Sequence, residues 1–234
     1  MPVTRCRSVA EPYYQDESVT LYLGDCREVT EWLASDVLVT DPPYGIGWRR
    51  GAYAATKNCI PHDGIAGDGD TTFRDTALRA WGKRPALVFG SLRAVYPDGW
   101  KQVLVFHKPI LNTGRFGNQR PWVTNWEPVF VLGEWPTQLP QHDSVITTAA
   151  ITAGGYSGYA TRYQHPHAKP MDVMETLLAA CPAGVVADPF AGSGSTLVAA
   201  RNLGRRAIGV EIEERYAEQA ARRLSQGVLT EVTA

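Results

Sequence analysis

The strongest indication of the fold is the stretch Gly184-Val185-Val186-Ala187-Asp188-Pro189-Phe190-Ala191-Gly192-Ser193-Gly194-Ser195-Thr196. In it an apolar run ends in an acid and a proline, and a glycine-rich turn then leads into a segment with a helical pattern. Glycines let a ligand approach the backbone closely, and the free N–H groups at a helix start favour a carboxylate or a phosphate. The stretch therefore predicts a strand, a ligand-binding turn and a helix in succession.

A second acid follows the next apolar run. Glu211 comes directly after a predicted strand at residues 207–210, and an acid about 20 residues beyond a glycine turn is placed to bind ribose hydroxyls. Alone, Glu211 is equally well explained as a charge near a helix start. Leu197 stands where the dinucleotide fingerprint has its third glycine, which argues against NAD or FAD. Turn and acid together indicate a nucleoside-bearing cofactor with a negatively charged end.

Seven short apolar runs predict strands, and three longer segments between them predict helices. The runs are continuous rather than alternating, as expected where helices cover both faces of a parallel sheet. This pattern predicts an α/β fold with a doubly wound, mostly parallel seven-stranded sheet in a single domain, residues 1–234. The predicted strands are residues 19–23, 37–40, 86–89, 103–106, 129–132, 185–187 and 207–210, and the predicted helices are residues 171–181, 197–203 and 214–224.

Composition excludes several classes of protein. With 23 basic and 24 acidic residues the net charge is -1, which excludes a wholly basic nucleic-acid binder, and 44% hydrophobic residues exclude a disordered chain. No apolar run reaches the length of about 18 residues that a membrane span needs, and the first residues lack a secretory signal, so we expect a cytoplasmic protein. The four cysteines are scattered, as in a reducing compartment, and Cys59 with His62 offers only half a zinc site, so no metal is expected.

A second chemical motif follows the predicted strand at residues 37–40 and reads Asp41-Pro42-Pro43-Tyr44. The two prolines lack N–H donors and fix φ, so they make a stiff loop at the end of the strand. Asp41 and the Pro42 carbonyl can each accept one hydrogen of an exocyclic NH2 group, and Tyr44 can stack on the ring that carries it. The alternative is a capped turn in which Asp41 bonds nearby backbone N–H groups and Tyr44 covers the surface.

Together these motifs resemble the S-adenosylmethionine-dependent DNA amino-methyltransferases, which modify adenine N6 or cytosine N4. Two further segments fit the resemblance: Tyr22-Leu23-Gly24-Asp25-Cys26 ahead of the catalytic motif, and His165-Pro166-His167-Ala168-Lys169-Pro170 ahead of the cofactor motif. The catalytic motif precedes the cofactor motif, which is the circularly permuted order of the family's beta group. The resemblance thus implies a Rossmann-like methyltransferase sheet with a permuted motif order.

The resemblance also implies the residues of the site. The methyl donor would be S-adenosylmethionine, and transfer would be direct, with no cysteine nucleophile. The catalytic residues would be Asp41, Pro42, Pro43 and Tyr44. The cofactor-binding residues would be Asp25, Lys169, Pro170, Asp188, Phe190, Ala191, Gly192, Gly194, Ser195, Thr196 and Glu211. Residues 45–72 are expected to form a mobile loop on the catalytic side, and residues 133–164 a short target-recognition segment.

The implied substrate is double-stranded DNA, from which the target base must be flipped because its amine is not accessible inside a duplex. Residues 101–126 contain four basic residues and no acid. Basic side chains next to aromatic ones suit phosphate contact and base stacking, although a solvated surface explains each arginine equally well. The candidate DNA-binding residues are Trp48, Arg49, Arg50, Arg115 and Arg120.

Several alternatives remain open. D-P-P-Y is commoner among the adenine enzymes of this family, so adenine N6 is favoured over cytosine N4. RNA is an alternative substrate, whereas Asp41 argues against a protein glutamine, for which asparagine is usual. A non-catalytic DNA-binding or regulatory module with the same fold is a further alternative, and a nicotinamide oxidoreductase fits least. A homodimer and a cognate restriction endonuclease are partners that the sequence leaves undecided.

Overall fold

The computed structural model describes residues 10–47, 64–109, 125–148 and 168–226. The described helices are a short 3-10 helix, Glu31–Ala34, and four α-helices: α1 Thr72–Trp81, α2 Met171–Ala179, α3 Ser195–Asn202 and α4 Glu214–Ser225. The described strands are β1 Tyr14–Gln15, β2 Val19–Leu23, β3 Val37–Thr40, β4 Ala86–Phe89, β5 Trp100–His107, β6 Trp126–Leu132, β7 Val145–Thr147, β8 Val186–Asp188 and β9 Ala207–Glu211.

The described strands form one sheet in the order β1-β2-β9-β8-β3-β4-β6-β5-β7. The central strands β2, β9, β8, β3 and β4 are parallel, whereas β6 runs antiparallel to both β4 and β5. All seven predicted strands are present, and the mostly parallel sheet is confirmed. The sheet is wider than predicted because β1 and β7, with two and three residues, add short strands at its two edges.

The topology brings the two chemical motifs to one edge of the sheet. From β8 the chain continues to β9 on one side, and from β3 it continues to β4 on the other side. Ligands of open α/β sheets bind at such a switch point, beyond the carboxyl ends of the strands. The catalytic motif follows β3 and the glycine turn follows β8, and these two strands are neighbours.

Helices cover both faces of the central strands. Val37 and Val39 of β3 pack into the core on the side of α2, α3 and α4, whereas Leu38 packs on the side of Trp32 and Trp81. The rings of those two tryptophans stack 5.9 Å apart. Because both faces of β3 are buried, its sequence is apolar at successive positions, and burying each such side chain contributes about 1.5–3 kcal/mol.

Three of the four helices confirm the sequence prediction to within two residues at either end. α3 begins two residues before the predicted start at 197, because Gly194 ends the glycine turn in a left-handed conformation with φ 79°. α1, by contrast, was not predicted from the sequence. Its buried face includes Arg74, whose guanidinium bonds Asp75 and the Val95 carbonyl, and this charge interrupts the apolar periodicity.

The two segments that the sequence predicts as functional loops are only partly described. Residues 64–71 form turns that lead into α1, and residues 133–148 include β7. The roles assigned to residues 45–72 and 133–164, and the single-domain boundary at 1–234, stay predictions. No helix within the four described ranges is both long and apolar enough to cross a membrane. Cys59 and His62 lie outside those ranges.

Gly184 lies two residues before β8, where the backbone passes close to Asp36, and this close approach can be tested by substitution. It has φ 123°, and a Cβ there would lie 2.3 Å from the Asp36 carboxylate, which accepts the Val185 N–H. We expect Gly184→Ala to lower the free energy of unfolding by about 2–3 kcal/mol, measured by urea denaturation. Gly69→Ala is the control, because nothing lies within 4 Å of its Cβ position. Equal stability of the two variants would contradict the role of Gly184.

Candidate active site

The catalytic motif forms a compact loop directly after β3. Pro42 and Pro43 are buried, and the Tyr44 side chain folds back so that its hydroxyl donates to Asp41 Oδ1 over 2.5 Å. Burial raises the pKa of Tyr44 well above its usual value, and the nearby Asp41 charge raises it further. The phenol is therefore protonated, and Asp41 is the acceptor.

Lys169 is brought to the same loop from the segment that precedes α2. Its ammonium lies 2.8 Å from Asp41 Oδ2 and 3.3 Å from the Tyr44 hydroxyl oxygen. Its side chain is only 4% exposed, so the charge is removed from water and depends on these partners. The resemblance assigns Lys169 and Pro170 to cofactor binding, and that assignment stays a prediction. The Lys169 ammonium contacts the catalytic loop and Glu127, and it lies 4.7 Å from the centroid of the Phe89 ring.

Two charged residues that are not among the predicted site residues also belong to this cluster. Glu127 of β6 accepts from Lys169 over 3.2 Å and also pairs with Lys108, which follows β5. Burial alone would raise the pKa of Glu127, but attraction to Lys169 and Lys108 outweighs it and lowers the pKa to about 2. Glu127 is therefore ionised, and the cluster alternates in charge from Asp41 through Lys169 and Glu127 to Lys108.

The backbone behind Tyr44 is held by a buried acid, Asp68. Gly45 donates its N–H to the Asp68 carboxylate over 2.8 Å, and Gly47 donates to the Asp68 carbonyl over 2.7 Å. Gly45 has φ 74°, and a Cβ there would lie 2.7 Å from the Asp70 carbonyl carbon. The catalytic loop is thus fixed at its end by Asp68, which lies in the segment that the sequence predicts only as a mobile loop.

On the cofactor side, Asp188 ends β8 and is buried. It accepts a hydrogen bond from the Thr40 hydroxyl over 2.7 Å and one from the Phe190 N–H over 3.2 Å. Burial raises the pKa of Asp188 to about 6, although hydrogen bonds from Thr196 and Thr40 oppose the rise. Asp188 therefore joins the end of β3, the glycine turn and the first turn of α3.

The glycine turn is held from both sides. Gly192 donates its N–H to Glu211 over 2.7 Å, and Glu211 also accepts from the Glu213 N–H over 2.8 Å. From α4, the Arg223 guanidinium donates to the Ser193 carbonyl over 2.6 Å and lies 3.3 Å from the Ser195 hydroxyl. Arg223 was not indicated by the sequence, because its role depends on how α4 packs.

A cleft opens beside this turn. Three predicted cofactor-binding residues, Asp25, Phe190 and Glu211, line it together. Arg27 pairs with Asp25 over 2.5 Å and lies over the ring of Phe73, which reaches the cleft from α1. A lining of apolar side chains together with two carboxylates suits a nucleoside, since the base can pack on the apolar groups and the hydroxyls find acceptors. The remaining lining residues are Gly24, Cys26, Ala66, Pro189 and Ile212.

The residue types present therefore fit the adenosine part of S-adenosylmethionine. Ala191, Ser195 and Thr196 are buried around the glycine turn, consistent with holding its shape rather than exposing side chains. The five candidate DNA-binding residues, Trp48, Arg49, Arg50, Arg115 and Arg120, lie outside the described residues, as do His165, Pro166 and His167.

Comparison with known proteins gives a consistent result. A family model described as DNA methylase, of the N6 and N4 type, matches residues 115–222. The putative methylase YubD of Escherichia coli strain K12 is 30% identical over 221 residues, which cover 86% of this chain and 88% of that protein. Type II methyltransferase M.ScaI of Streptomyces caespitosus is 26% identical over 274 residues, covering 93% of this chain and 85% of that protein.

Solved structures share the fold. PvuII DNA methyltransferase, described as cytosine-N4-specific, superposes with a TM-score of 0.59 at 15% identity and covers 92% of this chain and 89% of its own. The complex of M1.HpyAVI with S-adenosylmethionine also gives a TM-score of 0.59, at 19% identity, covering 88% of this chain and 98% of its own. At these identities the match establishes the Rossmann-like methyltransferase fold.

Arg223 is expected to control cofactor affinity through the glycine turn. Arg223→Ala removes its bonds to Ser193 and Ser195 and should weaken S-adenosylmethionine binding about tenfold, measured by calorimetry. Arg222→Ala is a matched control on the same helix, because its side chain is 70% exposed and pairs only with Glu218 among its described contacts. Equal affinities of the two variants would argue against a role for Arg223 in shaping the turn.

Glu211 predicts a pH dependence of cofactor binding. Burial raises its pKa to about 7, against the opposing N–H bonds from Glu213 and Gly192. Below that pH the carboxyl group is neutral and accepts hydroxyl hydrogen bonds less well. We therefore expect S-adenosylmethionine affinity to fall as pH decreases from about 8 to about 6, by up to about tenfold per pH unit.

Glu211→Gln is the control for that dependence, because its side chain is neutral throughout. It should bind more weakly at about pH 8 and show little change down to about pH 6. A slope that remains near pH 6 in this variant is expected from Asp188, whose pKa is raised by burial to about 6. A wild-type affinity that stays constant across this pH range would rule out a role for ionised Glu211.

Proposed function

This chain belongs to the S-adenosylmethionine-dependent DNA amino-methyltransferases, and we propose that its target is the exocyclic N6 amine of adenine in double-stranded DNA. The observation that carries the proposal is the Asp41 carboxylate, held at the carboxyl end of β3 by Tyr44 and Lys169. It lies one strand away from the glycine turn that follows β8. An acceptor for an amine and a nucleoside cleft therefore occupy the same edge of the sheet.

The chemistry needed from the protein is positioning. S-adenosylmethionine supplies a methyl group on a sulfonium, and transfer breaks the S–C bond and forms an N–C bond. Asp41 and the Pro42 carbonyl would each accept one amine hydrogen, which favours a pyramidal nitrogen with an available lone pair. The electron pair of the broken S–C bond stays on sulfur, which leaves as the neutral thioether of the demethylated cofactor. The nitrogen becomes positive as the N–C bond forms, the Asp41 carboxylate stabilises that charge, and the proton is then released to water.

The target base would have to leave the duplex to reach Asp41. Unstacking costs a few kcal/mol, and stacking on the Tyr44 ring would return part of it. Arg49, Arg50, Arg115 and Arg120, with Trp48, are the proposed contacts to the DNA backbone and bases. Such a reaction takes place where the cell keeps its DNA, so we propose a cytoplasmic, nucleoid-associated protein. The proposed reaction requires neither a homodimer nor a cognate restriction endonuclease, the two partners that the sequence leaves undecided.

Adenine is proposed as the base because Asp41-Pro42-Pro43-Tyr44 is the form commoner among the adenine enzymes that this chain resembles. An amine on cytosine C4 would present the same two hydrogens to the same acceptors. The base is therefore the part of the proposal that the experiment must decide.

The test is transfer of a labelled methyl group from S-adenosylmethionine to unmethylated DNA, followed by nucleoside mass spectrometry. We expect N6-methyladenine, with the rate falling by at least about 100-fold in Asp41→Ala. Asp98→Ala, which removes an exposed acid far along the chain from the motif, should retain wild-type activity.

Other outcomes are equally informative. Label in N4-methylcytosine would keep the mechanism and overturn the choice of base. Label on RNA alone would overturn the choice of DNA as the substrate. Cofactor binding without transfer to any nucleic acid would overturn the catalytic proposal in favour of a DNA-binding or regulatory role.

A further inference from the structure

Glu127 is not part of either chemical motif, yet it contacts the group that holds the catalytic acid. The Lys169 ammonium lies 2.8 Å from Asp41 and 3.2 Å from Glu127, so one buried cation bridges two carboxylates. The Glu127 carboxylate uses its other oxygen for Lys108. Three elements of the fold, the loop after β3, the strand pair β5 and β6, and the segment before α2, therefore meet in one charge cluster.

We propose that Glu127 is a positioning residue, which through Lys169 fixes the orientation of Asp41 and balances the charge beside the target amine. This rests on the proposed role of Asp41. A buried ammonium needs opposite charge around it, because transfer from water is costly for an unpaired ion. Glu127 and Asp41 share that task, so each constrains where Lys169 can lie.

The charge count of the cluster gives the consequence of removing Glu127. Among the residues that the structure describes, two carboxylates, Asp41 and Glu127, face two ammonium groups, Lys108 and Lys169. Removing the Glu127 charge makes this described cluster more positive by one unit beside the Asp41 carboxylate. The excess positive charge then lies beside Asp41, where the target nitrogen also becomes positive during the reaction. The two positive charges repel each other. Catalysis is lost through electrostatics even if the fold and the cofactor cleft are intact.

A purely structural role for Glu127 predicts something different. Glu127 pairs with Phe106 across β5 and β6, and the Lys108 N–H donates to the Asn125 carbonyl nearby. If the Lys108–Glu127 pair only held this hairpin together, its removal would lower stability. It would not lower kcat in the folded protein while leaving KM unchanged.

The first experiment compares Glu127→Gln with wild type under steady-state methyl transfer. We expect kcat to fall about 100-fold, with KM for DNA and Kd for S-adenosylmethionine unchanged. Glu134→Gln is the matched control, since it removes an exposed glutamate just beyond the other end of β6 and should behave as wild type. A Glu127→Gln enzyme with wild-type kcat would overturn the proposal.

The second experiment restores the charge balance. Glu127→Gln combined with Lys108→Met leaves Asp41 paired with Lys169 alone. We expect kcat of this double variant to exceed that of Glu127→Gln by at least about tenfold. A double variant no faster than the single one would overturn the charge-balance argument. If Glu127→Gln alone fails to fold, the double variant is compared with Lys108→Met, because these two variants differ only in the Glu127 charge. A lower kcat in the double variant, at unchanged KM, supports the positioning role of Glu127, and equal kcat values overturn it.

A third readout separates this proposal from the proposed function. In ligand-free protein labelled with 15N-lysine, the buried Lys169 ammonium should give an NMR signal that moves in Asp41→Asn. It should also move in Glu127→Gln and remain unchanged in Glu134→Gln. If the protein methylates neither DNA nor RNA but its Lys169 signal moves in both variants, the proposed function is refuted and the Glu127 contact is supported. An active enzyme whose Lys169 signal does not move in Glu127→Gln would support the proposed function and refute the Glu127 contact.

Discussion

The hydrogen bond from the Thr40 hydroxyl to the buried Asp188 carboxylate joins the two halves of the site. Its partners are 148 residues apart in the chain but end the neighbouring parallel strands β3 and β8. A carboxylate in that position needs donors, and Thr40 and the Phe190 N–H supply them from the catalytic and the cofactor side. The order of motifs along the chain therefore has little effect on the site, because strand adjacency decides which loops meet.

The parts of the fold that follow from burial could be predicted from the sequence. β3 and β8 are buried on both faces, so their residues are apolar at successive positions up to Thr40 and Asp188 at their ends, and both strands were predicted from that property alone. The sequence did not predict α1, because its buried face includes a charged residue. Arg74 is buried in it and satisfied by Asp75 and a backbone carbonyl, contacts that exist only once the tertiary structure has formed.

In the site too, residues in local sequence motifs were predicted, and residues whose contacts form only in the folded structure were not. Asp41 and Glu211 stand at strand ends within motifs whose spacing carries chemical meaning. Glu127 directly follows a stretch rich in basic residues, and only its register against Phe106 brings it beside Lys108 and Lys169. Asp68 and Arg223 likewise act on backbone groups that are distant in sequence. Motif spacing indicates the groups that would contact ligands, whereas the residues that hold those groups depend on packing.

The described state of Asp41 also constrains how a target amine could bind. Both carboxylate oxygens are engaged, Oδ1 by the Tyr44 hydroxyl and Oδ2 by Lys169. Displacing Lys169 from Oδ2 would take one carboxylate partner from a buried cation, and breaking a buried ion pair costs about 3–5 kcal/mol. Displacing the Tyr44 hydroxyl gives up a hydrogen bond to a charged group, worth about 1.5–3 kcal/mol, and the freed ring can recover about 1–3 kcal/mol by stacking on the base. In the proposed reaction the amine therefore replaces the Tyr44 hydroxyl on Oδ1, while Lys169, held by Glu127, keeps Asp41 oriented through Oδ2.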